Sequence, residues 1–294
     1  MWSRRSEPNV SSVLERLRRQ LSAHVFLNNY QLQATALTLC ITGPTGDGKT
    51  FNVKSILKEL KVSIFEISAS AIAHHKEGMA LFPFIRSYRD ASSVIAGGGL
   101  AVVLVDDMDR SIAYGFEGTG HTIHSQLLTG LIMDLCDNPY SIPHEGTREM
   151  VACLRVPIIF TANQVSGFDA ALRRPQRMTI FNYKLTETDR LHLLRRVFYV
   201  TDQPLHGGLS TSIRSAELGE LTRRFPAQPI AFFADIVSEF WKDIAVDFLF
   251  EAQGSALSKL QIEQRLSMAL EKLTLERAIM IGEYIAKSRS ELGL

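Results

Sequence analysis

Cysteine is scarce in this chain, an excess of either charge sign is missing, and no apolar run is long. Cys40, Cys136 and Cys153 are the only cysteines, and they stand far apart with no CxxC pair. That excludes a disulfide framework and a cysteine zinc site and fits buried thiols in a reducing compartment. Lys and Arg number 32 against 31 Asp and Glu, a formal net charge of +1. A near-neutral chain has no global field to draw it to nucleic acid or an anionic membrane, so neither is an expected partner. No stretch approaches the roughly 20 apolar residues of a membrane span. Met1 to Asn9 is charged and polar where a signal peptide would be apolar. A cytoplasmic location is expected, or plastid stroma for a plant or algal source, with no transit peptide evident. Internal repeats and low complexity are also missing. What is present is a globular composition, 46% hydrophobic and 21% charged over 294 residues, long enough for two cores.

The strongest local signal is Gly43–Thr50, GPTGDGKT, led by the apolar Ala36–Ile41 and followed by the helix-like Phe51–Leu60. Glycines at 43, 46 and 48 free the backbone to turn successive N–H groups toward phosphate oxygens. Lys49 supplies a mobile positive charge for β and γ phosphates and Thr50 a hydroxyl for Mg²⁺. A helix starting here adds the positive end of its dipole. Gly43, Pro44, Thr45, Gly46, Asp47, Gly48, Lys49, Thr50 and Phe51 are the candidate nucleotide contacts, and ATP with Mg²⁺ is the expected ligand pair.

Apolar runs alternating with helical stretches predict strands at Leu37–Thr42, Val62–Ser68, Leu100–Val105, Val156–Thr161 and Thr179–Tyr183. Such a pattern is that of an α/β fold, a five-stranded parallel sheet flanked by helices. A first helix is expected from Ser11 or Ser12 to about Ala23. Asn138–Glu149, polar with Pro and Gly, reads as a loop. After Tyr183 only helical segments follow, at Glu187–Val200, Ser215–Arg224, Ile230–Phe250 and Leu257–Ser288, where Leu260, Ile262, Leu266, Leu270, Leu273 and Ile279 are available for burial and Gly282 is the weak point. The expected division is an N-terminal helical segment over 1–25, an α/β nucleotide-binding subdomain over 26–184 and an all-helical lid over 185–294.

Val102–Asp109, VVLVDDMD, is a buried-strand pattern ending in carboxylates. Asp106 can hold Mg²⁺ directly or through water, and Asp107 can polarise an attacking water. Asn163 ends the next strand, where it is a turn former or a side chain that holds the water against a γ-phosphate. Leu172–Arg177, LRRPQR, is a surface basic turn or a rigid platform from which Arg174 and Arg177 reach a neighbouring subunit's phosphate.

GPTGDGKT, VVLVDDMD, TAN and RRPQR in this order resemble an AAA+ ATPase, and the finer similarity is to the Rubisco activases. That family similarly carries aspartate where most AAA+ proteins have a catalytic glutamate, and segments like DNPYSIP, RVPIIFTAN, RxxRM and FPAQPIAFFADI. The resemblance implies a P-loop NTPase module with a C-terminal helical lid, and ATP hydrolysis coupled to protein remodelling. It also implies a homo-oligomeric ring of usually six subunits and Rubisco as the protein client, freed of inhibitory sugar phosphates. It further implies catalytic roles for Asp107 and Asn163, trans arginines at Arg174 and Arg177, and Mg²⁺ on Thr50 and Asp106. Another protein client, or a helicase-loader-like role on DNA, are the alternatives. Two departures stand out. The lid stretch FFADIVSEF lacks the family's arginine, for which Arg223 or Arg224 would have to substitute. Trp241–Leu260 is shorter than in plant activases, where an inserted helix selects the partner. Ala69–Ala80, placed like a first pore loop, lacks the gripping aromatic of threading unfoldases, as the Rubisco activases similarly do, though Phe82 and Phe84 follow and His74 and His75 lie within it. Tyr114 and Phe116 are candidates for a second pore loop, and His121 and His124 share a helical spacing.

Overall fold

The computed structural model describes residues 12–32, 35–68, 81–109, 123–145, 149–200, 210–252 and 259–291. Its chain divides into two compact units, Met1–Lys184 and Leu185–Leu294.

In the first unit, helix α1 (Val13–Asn29) starts where Ser12 Oγ accepts the Glu15 N–H at 3.2 Å. It runs past Ala23 because its polar last turns have partners in the sheet. His24 Nε2 lies 3.3 Å from the Ile158 carbonyl, and the Asn29 amide makes paired bonds with the Ala101 N–H and C=O at 2.8 and 3.1 Å. Arg155 is buried against the same helix, donating to Asn28 Oδ1 at 2.6 Å and to the Thr35 carbonyl at 2.7 Å. α1, read from the sequence as a segment of its own, is thereby stitched to the strand starts.

The strands are β1 (Thr38–Thr42), β2 (Ser63–Ser68) and β3 (Ala101–Asp106), followed by the short β4 (Ser141–Pro143) and β5 (Met150–Ala152), then β6 (Ile158–Ala162) and β7 (Met178–Asn182). Five of them form one sheet in the order β2-β3-β6-β1-β7, with every pairing parallel. β3 and β6 are buried nearly end to end and β1 likewise, as expected of inner strands covered on both faces, whereas the edge strands β2 and β7 each leave two or more residues exposed. Helices α2 (Lys49–Glu59), α3 (Phe82–Ala96) and α4 (Ile123–Asp137) make the crossovers. The chain leaving β1 travels to one edge and the chain leaving β6 to the other, so the order reverses at the carboxyl ends of β1 and β6, the crevice where such sheets bind ligands.

One sequence expectation needs correction here. Asn138–Glu149 is not all loop: Ser141–Pro143 pairs antiparallel with Met150–Ala152 through Ile142↔Val151. Three-residue strands, the first of them ending in proline, are too short to show a period of two. Phe84, a candidate near the pore, is buried in the core with its ring 6.4 Å from that of Tyr88.

The second unit is all helical among its described residues: α5 (Glu187–Val197), a 3₁₀ turn (Ser215–Glu217), α6 (Leu218–Arg224), α7 (Ile230–Ala252), α8 (Lys259–Leu270) and α9 (Leu275–Glu291). Thr186 and Asp189 form a capping box on α5. The single helix expected over Leu257–Ser288 is two. Its break falls at Glu271–Thr274, where Thr274 Oγ1 accepts the Arg277 N–H, and not at Gly282. Gly282 instead sits mid-helix because a Cβ there would lie 2.7 Å from the Phe225 ring. Phe225 packs with Phe232 and Phe233, ring centroids 5.0 and 6.4 Å away, to make this unit's core. Of the apolar positions expected inside, Leu270 and Leu273 are buried while Ile262 is exposed. Among the described residues no helix is long and apolar enough to cross a membrane.

Candidate functional site

Three strand ends converge on one loop. Gly43 follows β1 and its N–H bonds to the Ala162 carbonyl of β6 at 3.3 Å. No side chain fits at this position, since a Cβ would stand 2.2 Å from the Tyr183 carbonyl oxygen. Gly46 and Gly48 hold φ of 80° and 83°, left-handed backbone that favours glycine, and Gly48 is the N-cap of α2. Between them Asp47 is buried, while Pro44 and Thr45 are exposed on the rim and Phe51 stands exposed on the first turn of α2. The loop is braced from behind by Asn52, which donates to the Gly48 carbonyl and to the Tyr183 hydroxyl, both at 2.9 Å.

The Lys49 ammonium donates to the carbonyls of Gly43 and Pro44 at 2.8 Å and to Asn163 Oδ1 at 3.1 Å. Burial holds its pKa below the ordinary lysine value, and Asp107, Asp109, Asp47 and Asp106 pull it back up. The structure thus brings the loop lysine and Asn163 into contact across 114 positions of sequence.

Thr50 Oγ1 donates to Asp106 Oδ1 at 2.6 Å, and the same carboxylate oxygen accepts from Thr161 Oγ1. Two hard oxygens on rigid neighbouring elements are a donor set that fits a small divalent cation, so Thr50 and Asp106 are the residues that can hold Mg²⁺. Asp107 turns the chain out of β3 with φ of 51°, and its N–H is caught by Thr161 Oγ1 at 3.0 Å. Left-handed backbone is costly for most residues but tolerated by aspartate, one physical reason for Asp at this place.

The two arginines part company. Arg177 forms a two-pronged pair with Asp137, 2.6 and 3.1 Å, and also reaches the Ala171 carbonyl. Arg174 is exposed, and its guanidinium has no partner among the described residues. In the second unit Arg223 donates to the Gly219 carbonyl and Arg224 pairs with Glu283. Ala69–Ala80 with His74 and His75, Tyr114, Phe116, His121 and the His124 side chain lie outside the described residues. Burial pushes the thiols of Cys40 and Cys136 up to about 12 and that of Cys153 to about 11, keeping all three protonated.

Sequence reasoning missed four residues of this site. Thr161, Tyr183 and Asn52 are ordinary members of a strand, a strand end and a helix, and only tertiary pairing reveals them. Asp109 did carry a signal, as the third carboxylate of VVLVDDMD. It is buried, and its Oδ2 accepts the Asn163 N–H at 3.1 Å.

A phosphate-type loop between a buried strand and a helix, acid-tipped β3 beside it, and a polar end to β6 on a 2-3-6-1-7 sheet define an AAA-type ATPase module followed by a helical subdomain. Residues 39–184 match the model of the ATPase family associated with various cellular activities (AAA), so the chain carries an AAA domain and has the AAA+ architecture expected from its sequence. Over most of its length the chain is similar to proteins named ribulose bisphosphate carboxylase/oxygenase activase. It is 24% identical to that of Chlamydomonas reinhardtii over 245 residues, covering 83% of this chain and 58% of the relative. With the Nostoc sp. protein it shares 27% over 242 residues, 81% and 56% of the two chains. With the second Larrea tridentata activase it shares 22% over 259 residues, 87% and 57%. The chain spans a little over half the length of these relatives.

Proposed function

We propose that this chain hydrolyses ATP with Mg²⁺ in a homo-hexameric ring and uses the turnover to remodel Rubisco, releasing inhibitory sugar phosphates. The observation that carries the ATPase reading is the meeting of Lys49 with Asn163 and of Thr50 with Asp106 at the carboxyl ends of β1, β3 and β6. The client rests on the similarity to activases. Lys49 and the Gly43–Thr50 backbone bind the phosphates. Thr50 and Asp106 would hold Mg²⁺, which would supply positive charge to the bound triphosphate. Asp107 orients the attacking water and accepts its proton, Asn163 holds that water toward the γ-phosphate, and Arg174 from a neighbouring subunit offsets charge as the bond breaks. Arg177 takes that role only by exchanging Asp137 for phosphate.

The test has two stages. Lys49→Ala is expected to abolish nucleotide binding, and Arg174→Ala to preserve binding while eliminating hydrolysis; mixing the two variants should restore part of the activity if sites are shared. Wild-type turnover by Arg174→Ala alone would sink the trans-arginine role. Incubating the active ATPase with inhibited Rubisco and ATP should then restore carboxylation, and no recovery removes the client. The short Trp241–Leu260 stretch favours a second reading, an AAA+ chaperone for another protein. An Asp107→Asn trap should enrich that other protein in place of Rubisco.

A further inference from the structure

We propose that Asp109 is a positioning residue that sets γ-phosphate sensing by Asn163, an inference that rests on the ATPase reading of the same site. Asp109 lies three residues past the end of β3, beyond the left-handed turn at Asp107, and is only 8% exposed. Its Oδ2 accepts the backbone N–H of Asn163, whose own side-chain oxygen accepts from Lys49. Its Oδ1 is buried without a hydrogen-bond partner among the described residues. A carboxylate buried with one oxygen orphaned is costly, and an apolar residue of that size would avoid the cost. Violations of this kind concentrate where function requires them.

What the carboxylate does follows from its place. The Asn163 N–H is the first amide past β6, beyond the register that ties Ala162 to Thr42. Without Asp109 this amide loses its acceptor, and the Asn163 backbone is held only from the carbonyl side, by Gly43 N–H on the Ala162 carbonyl at 3.3 Å and Thr42 Oγ1 on the Asn163 carbonyl at 3.2 Å, so the Asn163 side chain is less firmly aimed. With Asp109, the tip of β3 carrying Asp106 and Asp107 is tied to the residue that faces the γ-phosphate. The same charge lies near enough to Lys49 to favour its ammonium form. Asp109 touches no reacting atom in this scheme; it acts through Asn163.

The test compares wild type, Asp109→Ala, Asp109→Asn, Asn163→Ala and the Asp109→Ala/Asn163→Ala double variant. Two quantities are read: amide hydrogen exchange at Asn163 without nucleotide, and the ratio of affinities for a non-hydrolysable ATP analogue and ADP, each with Mg²⁺. Asp109→Ala should speed exchange at Asn163 and cut the preference for the triphosphate by about tenfold, the scale of one lost hydrogen bond to a charged group, with ADP affinity unchanged. Asp109→Asn should restore both, because its amide oxygen accepts the same N–H. The double variant should lose no more selectivity than Asn163→Ala alone. Unchanged exchange and selectivity in Asp109→Ala, additive losses in the double variant, or an Asp109→Asn no better than alanine would each overturn the proposal. If Asp109→Ala does not fold, Asp109→Ser, whose hydroxyl stops short of the Asn163 N–H, takes its place in the same comparison. A wild type that binds no nucleotide sinks the ATPase reading; fast wild-type exchange at Asn163 sinks this proposal whatever the nucleotide result.

Discussion

Protonating His24 should destabilise the α/β unit, because its ring is buried in the neutral form. The ring is 1% exposed between α1 and the sheet. Its Nε2 faces the Ile158 carbonyl at 3.3 Å and its Nδ1 faces Asn28 Nδ2 at 3.5 Å, so the neutral ring with the proton on Nε2 satisfies both contacts. A second proton on Nδ1 would remove that acceptor and put a buried cation beside Arg155. Burial, and to a lesser degree Arg155, hold the pKa down to about 4 from the ordinary 6.5, although the Ile158 carbonyl pulls the other way. The folded value is the lower one, so as pH falls the unfolded chain takes up the proton first. The contribution is full above 6.5 and is lost as pH falls toward 4. Linkage puts the loss at about 2 kcal/mol between pH 8 and pH 5, rising to about 3 below pH 4. His24→Gln keeps an N–H for the Ile158 carbonyl and cannot titrate, so it subtracts every other acid group in the chain. Unfolding in urea at both pH values should be followed by hydrogen exchange across Ile158–Ala162, because Trp241 fluorescence reports the second unit. Wild type should lose about 2 kcal/mol more than His24→Gln on going to pH 5. Equal losses in the two proteins would refute the buried-neutral reading.

Gly43→Ala places a Cβ 2.2 Å from the Tyr183 oxygen, and the obstacle is backbone. The carbonyl can give way only by loosening the Tyr183–Thr42 bond between β7 and β1, so nucleotide affinity by titration should fall beyond detection while far-UV CD stays near wild type; unchanged affinity would mean the loop relaxes freely. Arg174→Ala and Arg177→Ala should differ in kind. The first should leave Tm within about a degree, as for an exposed side chain. The second, losing the Asp137 pair on a partly buried guanidinium, should lower stability by about 1 kcal/mol, and Asp137→Ala should match it. Equal Tm values for the two arginine variants would undo that distinction. Gly282→Leu, driven into Phe225 and Ile236, should destabilise the helical unit by about 1–3 kcal/mol on Trp241 fluorescence read in a Trp2→Phe background and leave exchange in β6 unchanged; a wild-type urea midpoint would show that Phe225 moves aside.

Signals that repeat within a few residues were legible, and pairings across the chain were not. The inner strands are largely apolar runs with Gly or Pro close by on one side, and each lies within two residues of its expected bounds, as at Leu37–Thr42 against the observed Thr38–Thr42. The phosphate loop is legible for the same reason, since its chemistry is written in eight consecutive residues. The expected first helix stops near Ala23 because the partners of His24 and Asn29, Ile158 and Ala101, are 134 and 72 positions away. The Thr274 cap was hidden inside a long helical pattern that one short turn barely disturbs. Arg177 belongs with this second group. Its sequence neighbourhood marks a basic turn equally well whether the guanidinium serves a neighbour's phosphate or its own chain, and only the carboxylate 40 positions earlier distinguishes the two. The same holds at Asp109, where three acids within four residues look interchangeable until the fold gives each a different set of contacts. Asp106 meets two threonine hydroxyls, Asp107 is held by its own N–H, and Asp109 carries Asn163. A motif therefore fixes which chemistry is available, and the long-range hydrogen bonds decide which residue of the motif performs it.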